Sequence, residues 1–272
     1  MKILRNKIKL KKEILDRKGI AFVPTMGALH HGHEKMIKFA KKRFGKVIVS
    51  IFVNPKQFNS KQDFKTYPRN IKKDIKLLKR IKVDILYLPS YFDIFSFKTK
   101  KKIYLHNFSK KLCGKYRKGH FRGVLNVVNR FLEIIKPKYI VLGKKDFQQL
   151  FLIKEHILKS KLSTRVVPYQ TVREKNGVAL SSRSQKLNSK EKKLCALIIK
   201  YLKREKVKIK KNKHLFNKKD YLFKKIKRFN VSKIDYIEFL NLKTLKKPKN
   251  NKNLFNIFIA YKINNIRLID NF

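Results

Sequence analysis

Residues 23–42, which read VPTMGALHHGHEKMIKFAKK, concentrate two residue types that are scarce elsewhere in this 272-residue chain. The sequence has 9 glycines and 7 histidines, and this stretch alone contains Gly27, His30, His31, Gly32 and His33. Glycine lets the backbone approach a ligand closely, and imidazole N–H groups stabilise charge that builds on phosphate oxygens. The H-x-G-H spacing lets His30 and His33 point to one side of a turn, so it predicts a phosphate-binding site.

A solvated histidine and a metal site are the alternatives at this stretch. His31 occupies the x position of the motif and is expected to be solvated. A metal site built from His30, His31 and His33 is disfavoured, because adjacent histidines diverge and no nearby cysteine or carboxylate pattern completes a zinc set. Cys113 and Cys195 lie in neither a CxxC pair nor a zinc spacing, which favours two reduced thiols. We therefore predict no metal-ligating residues.

The elements around this stretch alternate between strand and helix patterns. Short apolar runs predict strands at 19–24, 46–53, 83–89, 138–143 and 164–169, with GIAFVP (19–24) as the first. Apolar residues at helical spacing predict helices at 31–44, 68–80, 121–135 and 146–160. Strand and helix repeated in this way predict an α/β fold with a Rossmann-like parallel sheet and right-handed crossovers.

The composition changes in the last third of the chain. All nine glycines fall at or before Gly177. A Lys/Leu-rich helical pattern follows, and then three short strand-like runs, IDYIEFL, LFNIFIAYKI and IRLIDNF. We therefore expect a Rossmann-like domain over residues 1–174 and a smaller α+β lid domain over residues 175–272.

The H-x-G-H stretch joins a predicted strand to the beginning of a predicted helix. Ligands of open parallel sheets bind beyond the carboxyl ends of the strands. The N-terminus of a helix offers free N–H groups and partial positive charge, both of which suit phosphate. The predicted elements therefore support the phosphate site that the histidines suggest.

The formal net charge of +55 raises the hypothesis of nucleic-acid binding. The lysines, however, occur in every segment instead of forming one stripe, and Lys, Asn, Ile and Phe share A/T-rich codons. We therefore place compositional bias first and specific nucleic-acid binding second, with weak nonspecific binding to polyanions expected in either case.

Membrane insertion and secretion are not expected from this sequence. No apolar run approaches the roughly 20 residues that a membrane-spanning helix needs. The basic N-terminus alternates Ile and Leu with Lys at helical spacing and lacks the apolar core of a secretion signal. We expect a cytoplasmic protein.

Several motifs along the chain resemble one enzyme family. H-x-G-H after a strand resembles the nucleotidylyltransferase superfamily. The fuller set, in order and at suitable spacing, resembles the pantothenate synthetase family: FVPTMGALHHGH (22–33), VSIFVNPKQF (49–58), YPRNIKKD (67–74), GHFRGV (119–124), LGKKDFQQL (142–150), TVRE (171–174), LSSRSQ (180–185) and RLIDN (267–271). The resemblance is strong over residues 20–185 and thin between 190 and 255.

The resemblance implies an AMP-forming ligase. Members of this family condense (R)-pantoate with β-alanine at the expense of ATP, through a pantoyl-adenylate intermediate, and release pantothenate, AMP and pyrophosphate. The resemblance also implies Mg²⁺ accompanying ATP, and a homodimer. It implies neither a specific nucleic-acid partner nor a membrane partner.

The resemblance also assigns roles to individual residues. His33 matches the proton donor, and His30, Lys145 and Arg183 match further catalytic phosphate contacts. Gln57 and Gln149 match contacts to pantoate and β-alanine, whereas neighbouring Gln148 is expected to face elsewhere. The matched ATP-binding residues are Met26, Gly27, Ala28, Leu29, His30, His31, Gly32, His33, Gly143, Lys144, Lys145, Asp146, Val172, Leu180, Ser181, Ser182 and Arg183.

This chain departs from the family pattern at a few positions. Lys144 stands where the family usually has Glu, and Lys118 stands where Pro is usual. Asn264 and Asn265 stand where a glycine turn is common, and Asn tolerates left-handed geometry. None of these changes removes a proposed catalytic group. The competing interpretations are another H-x-G-H adenylyltransferase or synthetase fragment, a nucleic-acid-binding protein, and an inactive relative.

Overall fold

The chain forms two compact units, Met1–Gln170 and Thr171–Phe272. The computed structural model describes residues 1–16, 18–212, 219–249 and 254–272. Part of the thin stretch between 190 and 255 therefore lies outside the described residues. The expected boundary after residue 174 stays a prediction. The expected role of the second domain as a lid also stays a prediction, because compactness does not define a lid.

The first unit is built on a six-stranded, entirely parallel sheet with the strand order β1-β4-β3-β2-β5-β6. Its strands are β1 (Lys2–Leu4), β2 (Ala21–Thr25), β3 (Val47–Ile51), β4 (Ile85–Tyr87), β5 (Tyr139–Gly143) and β6 (Arg165–Tyr169). From β2 the chain first adds β3 and β4 on one side, and later adds β5 and β6 on the other. The order therefore reverses between β2 and β5, which is the point where open α/β sheets bind ligands.

Helices connect these strands and cover the sheet. They are α1 (Lys7–Ile14), α2 (His31–Phe44), α3 (Lys61–Lys65), α4 (Ile71–Arg80), α5 (Tyr91–Phe95), α6 (Cys113–Tyr116), α7 (His120–Ile135) and α8 (Phe147–Lys159). Short 3-10 turns lie at Pro55–Gln57, Asn107–Lys110 and Lys144–Asp146. In the described ranges no helix is long and apolar enough to cross a membrane.

Alternate residues of the strands pack into two separate hydrophobic cores, one on each face of the sheet. Phe22 and Ile48 pack with α1, α7 and α8 on one face. Val23 and Val49 pack with α2 and α4 on the other. Both faces are covered, so the central strands read as continuous apolar runs instead of alternating ones. The predicted Rossmann-like α/β fold is confirmed.

The run predicted as the first strand is the second in the chain. A three-residue strand, β1, precedes it and pairs with β4 at the edge of the sheet. Three residues are too few to show the period-2 alternation by which sequence analysis finds a strand. The remaining predicted strands and helices of this unit are present, with ends shifted by a few residues.

In its described residues, the second unit combines two helices with a small antiparallel sheet. Its elements are a 3-10 turn at Ser184–Lys186, α9 (Ser189–Lys211), α10 (Lys219–Lys227), β7 (Lys233–Asn241), β8 (Phe255–Ile263) and β9 (Ile266–Asn271). Buried residues of α9 and α10, including Ile198 and Ile226, pack on Ile257 and Tyr261 of the sheet. Asn264 adopts a φ of 50° between β8 and β9, so the turn forms with asparagine in place of glycine.

Candidate active site

The loop between β2 and α2 carries the H-x-G-H motif at the point where the strand order reverses. Gly27 and Ala28 both have left-handed backbone angles, with φ of 78° and 49°. A Cβ atom on Gly27 would lie 3.0 Å from both Asp74 Oδ2 and Ile51 Cγ2. Glycine is therefore required here by backbone conformation and by the close packing beneath the loop.

Asp74, in the first turn of α4, supports this loop from below. One of its carboxylate oxygens accepts a hydrogen bond from Ala28 N at 2.9 Å, and the other accepts one from Leu29 N at 2.8 Å. Burial raises the pKa of this carboxyl, and the two backbone hydrogen bonds oppose that rise. Sequence analysis found the YPRNIKKD motif but gave Asp74 no role.

His30 and His33 begin α2 in a reciprocal cap. The Nδ1 atom of His30 accepts from Gly32 N at 3.1 Å, and the Nδ1 atom of His33 accepts from His30 N at 3.3 Å. A backbone N–H can only donate, so in each neutral ring the proton must lie on Nε2. The two rings are 4.0 Å apart between centroids. The cap thus presents two Nε2–H donors side by side.

Both imidazoles are neutral at physiological pH. Burial, followed by the positive charge of Lys145, lowers the pKa of His30 to about 4. Burial, followed by His30, lowers the pKa of His33 to about 3. Asp146 acts in the opposite direction on both rings. These shifts indicate that Lys145 and Asp146 lie close enough to interact electrostatically with the two histidines.

The segment from Gly143 to Asp146 lies at the carboxyl end of β5, the strand next to β2. Lys144, Lys145 and Asp146 form a 3-10 turn, and Lys145 Nζ lies 3.2 Å from an oxygen of Asp146. The sequence-predicted nucleotide segment and the H-x-G-H loop therefore meet at the same point of the sheet. Lys144 adds a second cation to this turn, where most relatives are expected to carry Glu.

His31 behaves differently from the two histidines beside it. Its side chain is largely exposed and pairs with Glu34 at a distance of 3.4 Å. The prediction that the middle histidine is solvated is consistent with this geometry. Among the described residues no group of three or more His, Cys, Asp and Glu side chains is arranged to hold a metal ion.

Gln57 is buried in the 3-10 turn that follows β3. Its amide nitrogen lies 2.6 Å from the sulfur of Met26, in the H-x-G-H loop. Its backbone oxygen contacts His120 Nδ1 at 2.7 Å and accepts from the guanidinium of Arg117 at 3.3 Å. Asn54 caps the turn by accepting from Lys56 N, at 3.1 Å. The strand β3 thus places Gln57 beside the loop that follows β2.

Helix α7 approaches this turn closely. Asn54 Nδ2 donates to the backbone oxygen of Gly123 at 3.0 Å. A Cβ atom on Gly123 would lie 2.2 Å from the backbone oxygen of Lys56. His120, Asn54 and Gly123 were not predicted as functional residues. The GHFRGV and VSIFVNPKQF motifs contain them, but a sequence motif does not show which of its residues hold Gln57 in place.

The two adjacent glutamines of α8 have different surroundings. Gln148 is buried, accepts from Cys113 N at 3.1 Å and donates to the backbone oxygens of Phe108 and Lys111, both at 2.7 Å. It therefore fastens residues 108–113 to the helix, in agreement with the expectation that it faces elsewhere. Gln149, in contrast, is only partly buried.

The remaining predicted ATP contacts belong to the second unit. Val172 and Leu180 lie at the two ends of a short hairpin, where Leu180 N donates to Val172 O at 3.0 Å. Ser181 and Ser184 then exchange hydrogen bonds of 2.9 Å, each hydroxyl accepting from the other residue's N–H. Ser182 is buried, whereas Ser181 and Arg183 are partly exposed. The segment is therefore a defined turn.

Comparisons with known proteins agree with these observations. A family model for pantoate-beta-alanine ligase matches residues 2–272. A pantothenate synthetase of Clostridium botulinum (strain ATCC 19397 / Type A) is 37% identical over 254 residues, which cover 93% of this chain and 90% of that protein.

Solved structures lead to the same family. A pantoate-beta-alanine ligase from Francisella tularensis, crystallised in complex with beta-gamma ATP and beta-alanine, is 36% identical, with a TM-score of 0.85 over 100% of this chain and 97% of that one. Pantothenate synthetase from Thermus thermophilus is 27% identical, with a TM-score of 0.89 over 100% and 99% of the two chains. The resemblance seen in the motifs is confirmed, and this chain belongs to the pantoate-beta-alanine ligase family, whose members are also named pantothenate synthetases.

Proposed function

We propose that this chain catalyses the ATP-dependent condensation of pantoate with β-alanine, which yields pantothenate, AMP and pyrophosphate. The family match over residues 2–272 is the observation that carries the proposal. The pair of neutral imidazole donors beside Lys145 supports it, because this group of donors suits a triphosphate.

The first step is adenylation of pantoate. Its carboxylate is ionised at neutral pH and needs no general base, so the enzyme must align it with the α-phosphorus of ATP. A carboxylate oxygen bonds to that phosphorus while the bond to pyrophosphate breaks. We assign the Nε2–H groups of His30 and His33 to the phosphate oxygens on which negative charge grows. Their neutrality in the free enzyme spares the site a buried cation before ATP arrives.

Gln57 and Gln149 are the residues that we assign to pantoate and β-alanine. A primary amide both donates and accepts, so it can bind a hydroxyl or carboxylate of pantoate as well as the amine of β-alanine. The position of Gln57 beside Met26 supports this role, because it places the amide next to the loop that carries the histidines.

The nucleotide contacts are assigned to three segments. Residues Met26 to His33 line the phosphates, Lys145 reaches a phosphate oxygen and Asp146 a ribose hydroxyl. From the second unit, Val172 contacts the nucleotide through its backbone, while Ser181, Ser182 and Arg183 bind phosphates. Two hydroxyls followed by a guanidinium suit this task, because the planar fork of arginine binds two oxygens at once.

The second step forms the amide. The nitrogen of β-alanine bonds to the carbonyl carbon of pantoyl adenylate, the bond from that carbon to the AMP oxygen breaks, and two of the three protons of the ammonium group pass to solvent. Proximity contributes most to this step, since the adenylate is already activated.

Magnesium enters this scheme as part of the substrate MgATP. The ion screens the triphosphate and binds mainly to its oxygens and to water, as Mg²⁺ does in most nucleotide enzymes. Asp146 is an acidic side chain close to the proposed phosphate site, as its effect on His30 and His33 indicates.

We also propose that the enzyme works as a cytoplasmic homodimer and binds no specific nucleic acid. The dimer rests on the family resemblance, and light scattering of the purified protein would measure it directly. The even spread of lysine along the chain supports a compositional origin of the charge.

The test is AMP formation from ATP with pantoate, with β-alanine and with both. The proposal expects full turnover only with both acids, and a loss of about 100-fold or more in His33→Ala, which removes a donor to the transition state. The matched comparison is Lys38→Ala, on the exposed face of the same helix, which should retain far more activity. An enzyme that is inert with pantoate but turns over ATP with another acid or a mononucleotide would refute the substrate assignment.

A further inference from the structure

We propose that Arg173 and Asp270 are positioning residues for adenylation, holding the backbone that carries Val172 and the serine-arginine turn, Leu180–Arg183. The inference deepens the proposed function and rests on it. Both residues belong to motifs that the sequence singled out, TVRE and RLIDN, and neither has a role in the chemistry described above.

Arg173 and Asp270 form a buried, two-pronged ion pair. The two terminal nitrogens of the guanidinium lie 2.6 Å and 2.8 Å from the two oxygens of Asp270. The side chain of Asp270 is 4% exposed and that of Arg173 is 19% exposed. A fork-to-fork pair of this kind fixes direction as well as distance, which a lysine cannot do.

The same guanidinium also ties together the hairpin to which it belongs. One terminal nitrogen of Arg173 donates to the backbone oxygen of Gly177, at 3.0 Å, and the other donates to the backbone oxygen of Asn271, also at 3.0 Å. Gly177 forms the hairpin turn with a φ of 90°. Arg173 therefore joins the turn of the hairpin to strand β9 through four hydrogen bonds.

The hairpin ends at the residues proposed to contact ATP. Arg173 pairs with Ala179, and Leu180 N donates to Val172 O, so Val172 and Leu180 are neighbours at its open end. The reciprocal bonds between Ser181 and Ser184 begin at the next residue. A displacement of Arg173 would therefore move its neighbour Val172 directly, and would move Ser181 through the hairpin.

Strand β9 is in turn held to its surroundings near Asp270. Asn271 N donates to Asp270 Oδ1 at 2.7 Å, and Asn256 Nδ2 donates to Asn271 Oδ1 at 3.2 Å. Lys206 of α9 donates to Asn256 Oδ1 at 3.1 Å. Asp270 is thus a fixed anchor, and the ion pair transmits that fixed position to the hairpin.

Preorganisation is the physical reason that this matters to catalysis. Adenylation is an in-line displacement whose rate depends on phosphate placement, and a displacement of about 1 Å can cost about 100-fold in rate. Amide formation on pantoyl adenylate involves no triphosphate. The pair should therefore affect the first step far more than the second.

The experiment compares Arg173→Lys and Asp270→Asn with the wild type in the two half-reactions separately. Pantoate-dependent exchange of pyrophosphate into ATP measures adenylation, and β-alanine added to preformed pantoyl adenylate measures amide formation. We expect kcat/KM for ATP in the exchange reaction to fall about 10- to 100-fold, through a lower rate and a higher KM, with amide formation within about threefold of the wild type. Asp270→Asn keeps the size of the side chain, so it tests the proposal even if Arg173→Lys folds poorly.

Arg267 and Asp235 provide the matched control. They form another buried ion pair on the same sheet, 2.7 Å apart, with side chains 16% and 5% exposed. Arg267 lies three residues from Asp270 on β9, so its side chain leaves the opposite face of the strand. Arg267→Lys should lower the melting temperature without raising the KM for ATP.

Three results would overturn the inference. Equal losses in both half-reactions, or no loss in either, would reduce the pair to general stability or to no role. An equal rise in the KM for ATP in Arg267→Lys would show that any buried pair of this unit has the same effect. A wild-type enzyme that shows no exchange with pantoate would instead refute the proposed function, so the two failures are distinguishable.

Discussion

At the scale of single residues, the main feature is a pair of histidines whose ring protons are fixed by the backbone. Each Nδ1 accepts from a main-chain N–H, so each Nε2 donates. A solvated histidine would populate both tautomers and several rotamers, whereas these two rings have one tautomer and one orientation before any ligand binds. Helix capping therefore gives the H-x-G-H spacing a structural role in addition to the proposed phosphate binding.

The pH dependence of stability follows from the same pair. The pKa values of His30 and His33 are about 4 and 3, below the value of 6.5 for a free side chain. Between these values the unfolded chain binds more protons than the folded one, so the free energy of unfolding falls as the pH drops from about 6.5 toward 4. Urea unfolding of the free enzyme across this range should show the fall.

A His33→Asn variant isolates this contribution. Asparagine can still accept from His30 N but does not titrate, so the variant should lose less stability than the wild type over the same pH range. Parallel pH profiles for the two proteins would contradict the buried, neutral state of His33.

At the scale of elements, buried groups on α4 and α7 hold the loops that follow the strands. Asp74 supports the H-x-G-H loop, and Gly123 lets α7 lie against the turn that carries Gln57. The segments that carry the proposed site residues are thus held in place by neighbours to which no chemical role is assigned.

Asp74→Asn should weaken both stability and ATP binding. An amide has one acceptor oxygen, so it leaves Ala28 N or Leu29 N facing a donor, at a cost of about 1–3 kcal/mol. We expect a raised KM for ATP in steady-state kinetics. The control is Asp84→Asn, because Asp84 accepts from Val47 N at 2.8 Å, at the start of β3 and away from the site. An equal effect on the KM for ATP in both variants would contradict the role given to Asp74.

Gly123→Ala should act on the acid substrates instead. Its Cβ would lie 2.2 Å from Lys56 O and 2.9 Å from Gln57 Cα, so α7 or the turn must move. We expect a loss of about 1–3 kcal/mol in stability. The KM values for pantoate and β-alanine should rise more than the KM for ATP. Gly45→Ala, at a φ of 73° with no atom within 4 Å, strains the backbone elsewhere and should leave these KM values unaltered.

Much of the first unit could be predicted from the sequence at this scale. The features that could not be predicted were missed for physical reasons. Short apolar runs predicted β2 to β6, and the sheet brought the H-x-G-H loop together with Gly143–Asp146, as expected of a switch point. Asp74 was not predicted as a site residue, because a carboxylate 46 residues from Ala28 shows its function only after folding. The same holds for Arg173 and Asp270, which are 97 residues apart.

At the scale of the whole molecule, charge is the dominant property. The chain carries 72 basic and 17 acidic side chains, for a formal net charge of +55. Such a charge repels itself and opposes the compact state. Two of the few carboxylates have clear structural roles, since Asp74 holds a loop and Asp270 pairs with an arginine.

Screening should therefore stabilise this protein. Raising NaCl from about 0.01 M to about 0.15 M shortens the screening length from about 30 Å to about 8 Å. We expect the melting temperature, measured by calorimetry, to rise over this range. A constant or falling melting temperature would mean that the charges are too dispersed for repulsion to matter.

Adenylation of pantoate is the central claim of this account, and isotope exchange tests it most directly. The wild-type enzyme is mixed with ATP, labelled pyrophosphate and one acid at a time, and the label in ATP is counted. The account predicts exchange with pantoate in the absence of β-alanine, and a sharp loss in His33→Ala. Exchange that requires β-alanine, or that occurs only with an amino acid or a mononucleotide, would contradict it.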